Sequence, residues 1–527
     1  MDIMNYYNIS ILIFGIILFG GIIIIIIKLL GRLWWRPMKI QQLMRSQGIQ
    51  GPSYNLIQGN TKEMYSKRIK AMAKPMQLSH HILPRVLPHI HSWLNQYGRN
   101  YVQWFGADAH LVITEPELIK EVLNNQHKDF PKAKLQGHIH KIFGNGLATA
   151  EGQRWVNSRK LAHFAFHGDS LKNMIPSMVQ CAETMVEEWE QHEEKEIDVF
   201  EHFKVYTLDV ISHTAFGSSY EQGRNIFQML QRLCELYITN RYKVRLPVIS
   251  KILKSEDDIE GESLEKKIKD CFVEIIKARE DQKMNNDYGN DFLGLLVKAK
   301  NDPQKSQRIS LEDVVDECKT FYFAGHETTS LLLAWTMFLL ALHKEWQEKA
   351  RNEVFDLFGH SNPTFEALPK LKTMSMIIHE SLRLYPPAMT LLRKVEKETR
   401  LGRLVLPSGV HVVIPTAAIH HDEELWGRSA DDFKPERFSE GIAKATERNP
   451  VGGTYLPFGL GSRSCVGMNF ALNEAKIAIS MILQRFSFTL SPAYAHSPAM
   501  FLTIAPQHGL QLILHPLSTH QQSTFMM

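Results

Sequence analysis

The sequence predicts a mostly α-helical (α+β) chain, with one helical domain, a smaller β lobe and an N-terminal transmembrane helix. Three observations predict it. Ile9 to Ile27 is a run of 19 residues without a charge. Short β-rich runs appear only near residues 101–114 and 404–414, and helical patterns dominate the remainder, including a 22-residue apolar stretch from Phe321 to Leu342. The 527 residues carry 60 Lys+Arg against 56 Asp+Glu, a net +4 that offers no basic footprint, so nucleic acid is disfavoured as a partner. The five cysteines, Cys181, Cys234, Cys271, Cys318 and Cys465, lack CxxC or CxxxC spacing. This argues against both a disulfide framework and a zinc site.

At 1.5 Å per residue, Ile9 to Ile27 spans about 29 Å, close to a bilayer's hydrocarbon core. Lys28, Arg32, Arg36 and Lys39 follow it and only Asp2 precedes it among charged side chains, which leaves the rest of the chain on the cytosolic side. Trp34 and Trp35 suit the interface. The absence of a positive n-region and of a small-x-small site argues against a cleaved signal. Asn8-Ile9-Ser10 fits a glycosylation pattern but abuts the membrane. Gly48-Ile49-Gln50-Gly51-Pro52 reads as a short turn-forming hinge. Val244 to Val248 is the first candidate for a second membrane contact.

Tyr101–Phe105 and Leu111–Thr114 flank Gly106-Ala107-Asp108 and read as a hairpin. Glu115-Pro116-Glu117 opens a helix, Pro being tolerated in a first turn. Trp155 and Arg159 lie four apart on one helical face, where an indole N–H and a guanidinium could hold one carboxylate. Residues 209–217 read as core, and the charged stretch 255–309 as solvated helix and loop without chemistry. Ser310 with Asp313 three residues on marks the start of a long helix. Within it, Ala324-Gly325-His326-Glu327-Thr328-Thr329-Ser330 is too polar for a second membrane span. On a buried helix crossing a cofactor face, Ala324 and Gly325 would leave room for dioxygen, Thr328 could perturb the helix ladder and hold water, and Glu327 could relay protons. Glu380 and Arg383 form an i,i+3 pair, and Leu404 to Ile414 reads as a hairpin in the β lobe.

Pro457-Phe458-Gly459-Leu460-Gly461-Ser462-Arg463-Ser464-Cys465-Val466-Gly467 precedes the helical run Met468 to Leu483 and reads as a loop delivering one thiolate to an iron. Amide donors and the dipole at that helix's N-terminus favour S⁻ over SH. Gly461 and Gly467 permit turns a side chain would block and let a flat macrocycle lie close, Phe458 can cover the sulfur, and Arg463 can neutralise a propionate. Phe458, Gly461, Arg463, Cys465 and Gly467 at about 5% each would coincide by chance on the order of 10⁻⁴ times in such a chain.

This loop resembles the haem-binding loop of the cytochrome P450 family of haem-thiolate monooxygenases. The resemblance extends over the other landmarks in order, from about Gly51 to Leu514, and the wording around Phe323–Thr329 and Met468–Ala471 is similar to plant microsomal members of the 72 clan. It implies the cytochrome P450 fold, haem b (iron protoporphyrin IX) with Cys465 as metal ligand, and Trp155, Arg159, Arg393 and Arg463 on the propionates. It further implies Glu327 and Thr328 in the oxygen-activation groove, with His326 at a variable position, and Glu380, Arg383 and Arg437 as a structural network. Gly459-Leu460-Gly461-Ser462 departs from the family's commoner Ser-x-Gly-Pro wording, which bears on subfamily.

The implied organisation is an anchor (1–30), a basic Gly/Pro hinge (31–55), the catalytic domain (56–520) and a tail (521–527). No dinucleotide fingerprint opens a strand-to-helix unit, so NADPH electrons would come through a separate NADPH-cytochrome P450 reductase, with Arg154 and Lys160 as docking charges. The expected reaction inserts one oxygen atom from O₂ into a small apolar molecule, by resemblance an isoprenoid such as a diterpenoid, triterpenoid or steroid-like hormone. The location expected is the endoplasmic reticulum membrane. Phe323, Ala388 to Leu392 and Met500 to Leu502 are the expected substrate selectors. A haem-thiolate isomerase or dehydratase would need no oxygen-activating Thr, and a non-catalytic haem sensor would show no substrate-dependent NADPH use.

Overall fold

The computed structural model describes residues 2–124, 128–135, 137–192, 194–217, 220–243, 254–281, 288–304 and 308–517. The candidate membrane contact at 244–248 and the tail at 521–527 lie outside the described residues. Helix α1 (Asp2–Leu30) is all-round apolar, and a π-helical turn, Gly31–Trp35, continues it into a helix Arg36–Ser46. Among the described residues this is the one helix long and apolar enough to cross a membrane.

The stretch 31–55, expected as a hinge, is therefore helical through Ser46 and turns only after it. It is tied to the body. Ile40 and Met44 are buried in the core of the β lobe. Gln47 exchanges hydrogen bonds with the Val405 backbone at 3.1 and 2.6 Å, Arg36 donates to the Ser408 carbonyl at 2.8 Å, and the Tyr54 hydroxyl donates to the Leu33 carbonyl at 2.6 Å.

The β lobe is built on a four-stranded sheet. Strands β1 (Asn100–Phe105) and β2 (Asp108–Ile113) form the expected antiparallel hairpin, with Gly106-Ala107 at the turn. Strands β3 (Leu391–Lys394) and β4 (His411–Ile414) complete the order β1-β2-β4-β3, β4 lying parallel to β2 and antiparallel to β3. The expected 404–414 hairpin does not form, because Leu404–Leu406 pairs instead with Thr399–Leu401. The reason is burial. Val412, Val413 and Ile414 are all buried, so β4 needs cover on both faces, which the larger sheet provides and a two-stranded ribbon would not.

The helical body closes around one large apolar core. Helix α2 (Gly152–Ala165) carries Trp155 and Arg159, and helix α3 (Val199–Ile211) runs into a π-helical turn, Ser212–Phe216. Helix α4 (Tyr220–Asn240) packs on α3. The central helix α5 (Leu311–Leu342, 32 residues) starts at the expected capping box, in which Asp313 N–H donates to the Ser310 hydroxyl at 3.0 Å and Ser310 N–H to the Asp313 carboxylate at 2.8 Å. Its apolar length is buried in protein, not lipid. Helices α6 (Lys372–Leu384) and α7 (Met468–Arg485) pack against it.

Behind the cysteine loop, Arg383 holds Glu380 at 2.7 and 2.8 Å with both side chains fully buried, and donates to the carbonyls of His420, Ala430 and Asp432. Arg437 reaches the same carboxylate at 3.3 Å. The three residues form the network expected of them. A buried pair so placed locks the ends of α6 and of the segment 420–437 together and touches no reacting group.

Candidate functional site

Two elements carry accessible residues that matter here, the cysteine loop and the middle of α5. On the first, Cys465 stands immediately before α7 with its N–H donating to the Phe458 carbonyl at 2.8 Å. Gly461 has a φ of +74°, and a Cβ there would come within 2.6 Å of the Leu123 carbonyl oxygen, so both the turn and the close approach to the helix Pro116–Asn124 require glycine. Gly467 is different. Its φ is −91°, open to any residue, and an added Cβ would lie 4.0 Å from the Cys465 sulfur, so its value is space beside the sulfur and not a special turn.

Cys465 is solvent-accessible, unlike buried Cys181 and Cys318. Surrounding protein still desolvates the thiol and pushes it up, while the Gly467 N–H and Arg159 pull it down. The amide at the helix start thus acts as expected, but in the protein alone desolvation outweighs it. Phe458 is half-buried and packs against the main core.

Around this opening cations outnumber carboxylates. Arg463 pairs with Glu151 at 2.5 Å, donates to the Ala150 carbonyl at 2.7 Å and lies 4.2 Å over the Trp155 ring. Arg159 donates to the Ser464 carbonyl at 2.6 Å. Trp155 and Arg159 therefore share a helical face but contact different parts of the loop. Arg393 is buried, donates to the Leu392 carbonyl at 2.9 Å, and is pushed down to about 10 by burial and by Arg463. Lys132, whose N–H donates to Glu151 at 2.6 Å, is pushed down to about 7 by burial and by Arg393 and Arg463. Three arginines and Lys132, the last titrating near neutrality, with Glu151 as the carboxylate among them leave a surplus of positive charge that suits a group bearing two carboxylates. Lys132 and Glu151 escaped sequence reasoning. They are isolated charges in loops, and only the fold brings them to Arg393 and Arg463.

The second opening is midway along α5. Ala324 is exposed and Gly325, Glu327 and Thr328 are half-exposed, within a helix buried on either side. The Thr328 hydroxyl donates to the Ala324 carbonyl at 2.7 Å, the ladder perturbation expected of it. Gly325 does not face this space. A Cβ there would come 2.9 Å from Ile211, so its smallness serves the approach of α3 and only Ala324 leaves room on the open side. Glu327 points away from Thr328 and accepts a hydrogen bond from Thr503 at 2.8 Å, with burial holding its carboxyl up. It lines a cavity of about 400 Å³ together with Phe227, Phe323, Phe501 and Leu502. Of the expected selectors, Phe323, Phe501 and Leu502 converge there, and Met500 and Ala388 to Leu392 do not. Arg154 is engaged by Asp313 and Asp316 at 2.7 and 3.3 Å and is no free docking charge, whereas Lys160 is exposed.

The cytochrome P450 family model matches residues 79–513. Cytochrome P450 CYP749A22 of Panax ginseng is 51% identical over 501 residues, covering 94% of this chain and 95% of its own. The 11-oxo-beta-amyrin 30-oxidase of Glycyrrhiza uralensis is 42% identical, covering 95% of this chain and 97% of its own. Among solved structures, the haem domain of cytochrome P450DA matches with a TM-score of 0.72 at 25% identity, over 85% of this chain and 98% of that one. The cysteine loop, the charge surplus beside it and the opened central helix thus lie in a chain that belongs to the cytochrome P450 family, the haem b monooxygenases.

Proposed function

We propose that this monooxygenase inserts one oxygen atom into an apolar isoprenoid, a triterpenoid before other classes, with NADPH electrons delivered by a separate flavoprotein reductase at the endoplasmic reticulum membrane. Haem, when bound, supplies the reductive activation of O₂. Cys465 would ligate its iron through the thiolate, since it is the accessible cysteine at a helix N-terminus with space left by Gly467. Arg159, Arg393, Arg463 and Lys132 would hold its propionates, with the Trp155 ring packed against the Arg463 guanidinium. Phe458 fixes the loop through its carbonyl.

On the oxygen side, Thr328 keeps its proton on the Ala324 carbonyl, which leaves its lone pairs free to order water in the space beside Ala324. Glu327, its carboxyl held up by burial, lines the phenylalanine-lined cavity and is joined to Thr503 and not to Thr328. Any relay between the two therefore runs through water. The observation that carries this reading is the positive surplus around an accessible cysteine, which a haem thiolate site needs and a structural cysteine does not. The triterpenoid preference is supported by the relative whose name specifies an 11-oxo-beta-amyrin substrate. The anchor helix and the basic residues after it support the membrane location.

Full-length protein in microsomes with reductase and NADPH, incubated with a triterpenoid-rich plant extract, is expected to yield a product heavier by one oxygen. NADPH-independent conversion without added oxygen would favour isomerase or dehydratase chemistry.

A further inference from the structure

Behind the opened turn of α5, on the side away from Ala324 and Thr328, stands a buried pair that the reaction scheme leaves unused. His326 is fully buried, and its Nδ1 lies 2.8 Å from the Thr207 hydroxyl of α3. The same hydroxyl lies 2.9 Å from the Phe203 carbonyl and 3.2 Å from the His326 carbonyl. Thr207 has one proton to give. The contacts are satisfied together if neutral His326 donates from Nδ1 to the Thr207 oxygen, freeing the hydroxyl proton for a carbonyl. That tautomer leaves Nε2 a bare lone pair, and Nε2 is buried without a partner among the described residues. Burial, with Lys204 adding to it, pushes His326 down to about 3, so the ring stays neutral. Phe227 of α4 closes the pocket edge-on with ring centres 4.0 Å apart.

The consequence lies in the helix backbone. The Ala324 carbonyl receives Thr328 at 2.7 Å and the Glu327 carbonyl receives Ser330 at 3.0 Å, while the His326 carbonyl lies 3.2 Å from the Thr207 hydroxyl, whose one proton it shares with the nearer Phe203 carbonyl. Three of four successive carbonyls thus have a side-chain hydroxyl within reach, two of them accepting from it in competition with the helix's own N–H groups, the arrangement that loosens or bends a helix. Two of those hydroxyls come from α5 itself and one from α3. Gly325 beside them lets α3 approach closely enough to supply it, since any side chain there would meet Ile211.

We infer that Thr207 and His326 are a positioning pair which braces the opened turn of α5 from α3 and so sets where the Thr328 hydroxyl stands. Phe227 links that brace to the cavity, because the ring that packs on His326 also lines the space holding Phe323 and Glu327. The inference rests on the proposed oxygen-side role of Thr328.

The test uses full-length protein with reductase, comparing Thr207→Val, Thr207→Ser, His326→Phe and the double variant Thr207→Val/His326→Phe. All rates are normalised to the amount giving the carbon monoxide band. With carbon monoxide as probe, the infrared stretch of the bound gas is expected to shift in Thr207→Val and His326→Phe and to return in Thr207→Ser. With the plant extract and NADPH, peroxide released per NADPH is expected to rise about threefold to tenfold in each single variant, the ratio that loss of one net hydrogen bond corresponds to. The double variant should rise no further, as members of one unit are not additive. An unshifted stretch and unchanged peroxide ratio in Thr207→Val, or a Thr207→Ser as uncoupled as Thr207→Val, would overturn the pairing. Thr328→Ala run alongside separates the two ideas: if it uncouples and Thr207→Val does not, the brace falls and the role of Thr328 stands.

Discussion

Thr328 and Thr329 are consecutive yet rotated by about 100° around α5, and the structure gives them opposite surroundings. Thr328 stands at the opening with its hydroxyl on the Ala324 carbonyl, while Thr329 is buried and faces Glu474 of α7, whose carboxyl burial drives well up. Thr328→Ala is expected to retain haem and to cost about 1 kcal/mol in stability, typical of one hydrogen bond, yet to consume NADPH with hydrogen peroxide released in place of product. Thr329→Ala should leave that ratio near wild type. Side-by-side assays of NADPH, peroxide and product check both. Cys465→Ser should abolish the red-shifted Soret band of the reduced carbon monoxide complex, because no other described cysteine is both accessible and placed at a loop-to-helix start. An unchanged band in a folded variant would remove the ligand assignment.

Individual elements are held by buried charge. Replacing Glu380 with Ala strands Arg383 and half-buried Arg437 without their carboxylate, and a loss of about 3–5 kcal/mol is expected, read as a lowered thermal midpoint and reduced haem retention. At the other end, the first turns of α5 clasp the loop after Phe143. Asp316 accepts the Asn145 N–H at 2.8 Å and Glu317 the Leu147 N–H at 3.0 Å. Burial pushes Glu317 up to about 7 from an ordinary value near 4.5. A carboxyl raised on folding binds its proton more tightly in the folded state, so its contribution is fully present below about 4.5 and is lost as pH rises through about 7. Glu317→Gln should remove this component, so that the difference between variant and wild-type stability grows in the variant's favour across that window. Unfolding curves at a series of pH values measure it, and a pH-independent difference would place the titration elsewhere.

For the whole molecule, removal of residues 1–30 is expected to release the protein from microsomes with its carbon monoxide spectrum intact. The contacts that dock the following segment, Leu33 with Tyr54 and Arg36 with Ser408, lie beyond the cut. Quantitative pelleting of the truncated protein would require a second membrane contact, with exposed Leu56, Ile57, Tyr65 and Ile69 as the next candidates. The sequence alone determined the apolar N-terminal helix, the first hairpin, the capped central helix and the cysteine loop, because each is written in local spacing: a charge-free run, alternation across a short turn, an N-cap three residues from its acid, glycines around one thiol; the joining of Arg437 to Glu380 and Arg383 was implied only by the family resemblance. Tertiary structure alone decided the partners. The pairing of β4 with β2 and β3, the turning of Gly325 toward Ile211 and of Glu327 toward Thr503, and the gathering of Lys132 and Glu151 beside Arg393 and Arg463 all join residues far apart in the chain. Local periodicity says that a side chain needs cover or a counter-charge, but which distant group supplies it depends on how helices and sheet close over the core, and that is settled by packing of the whole chain.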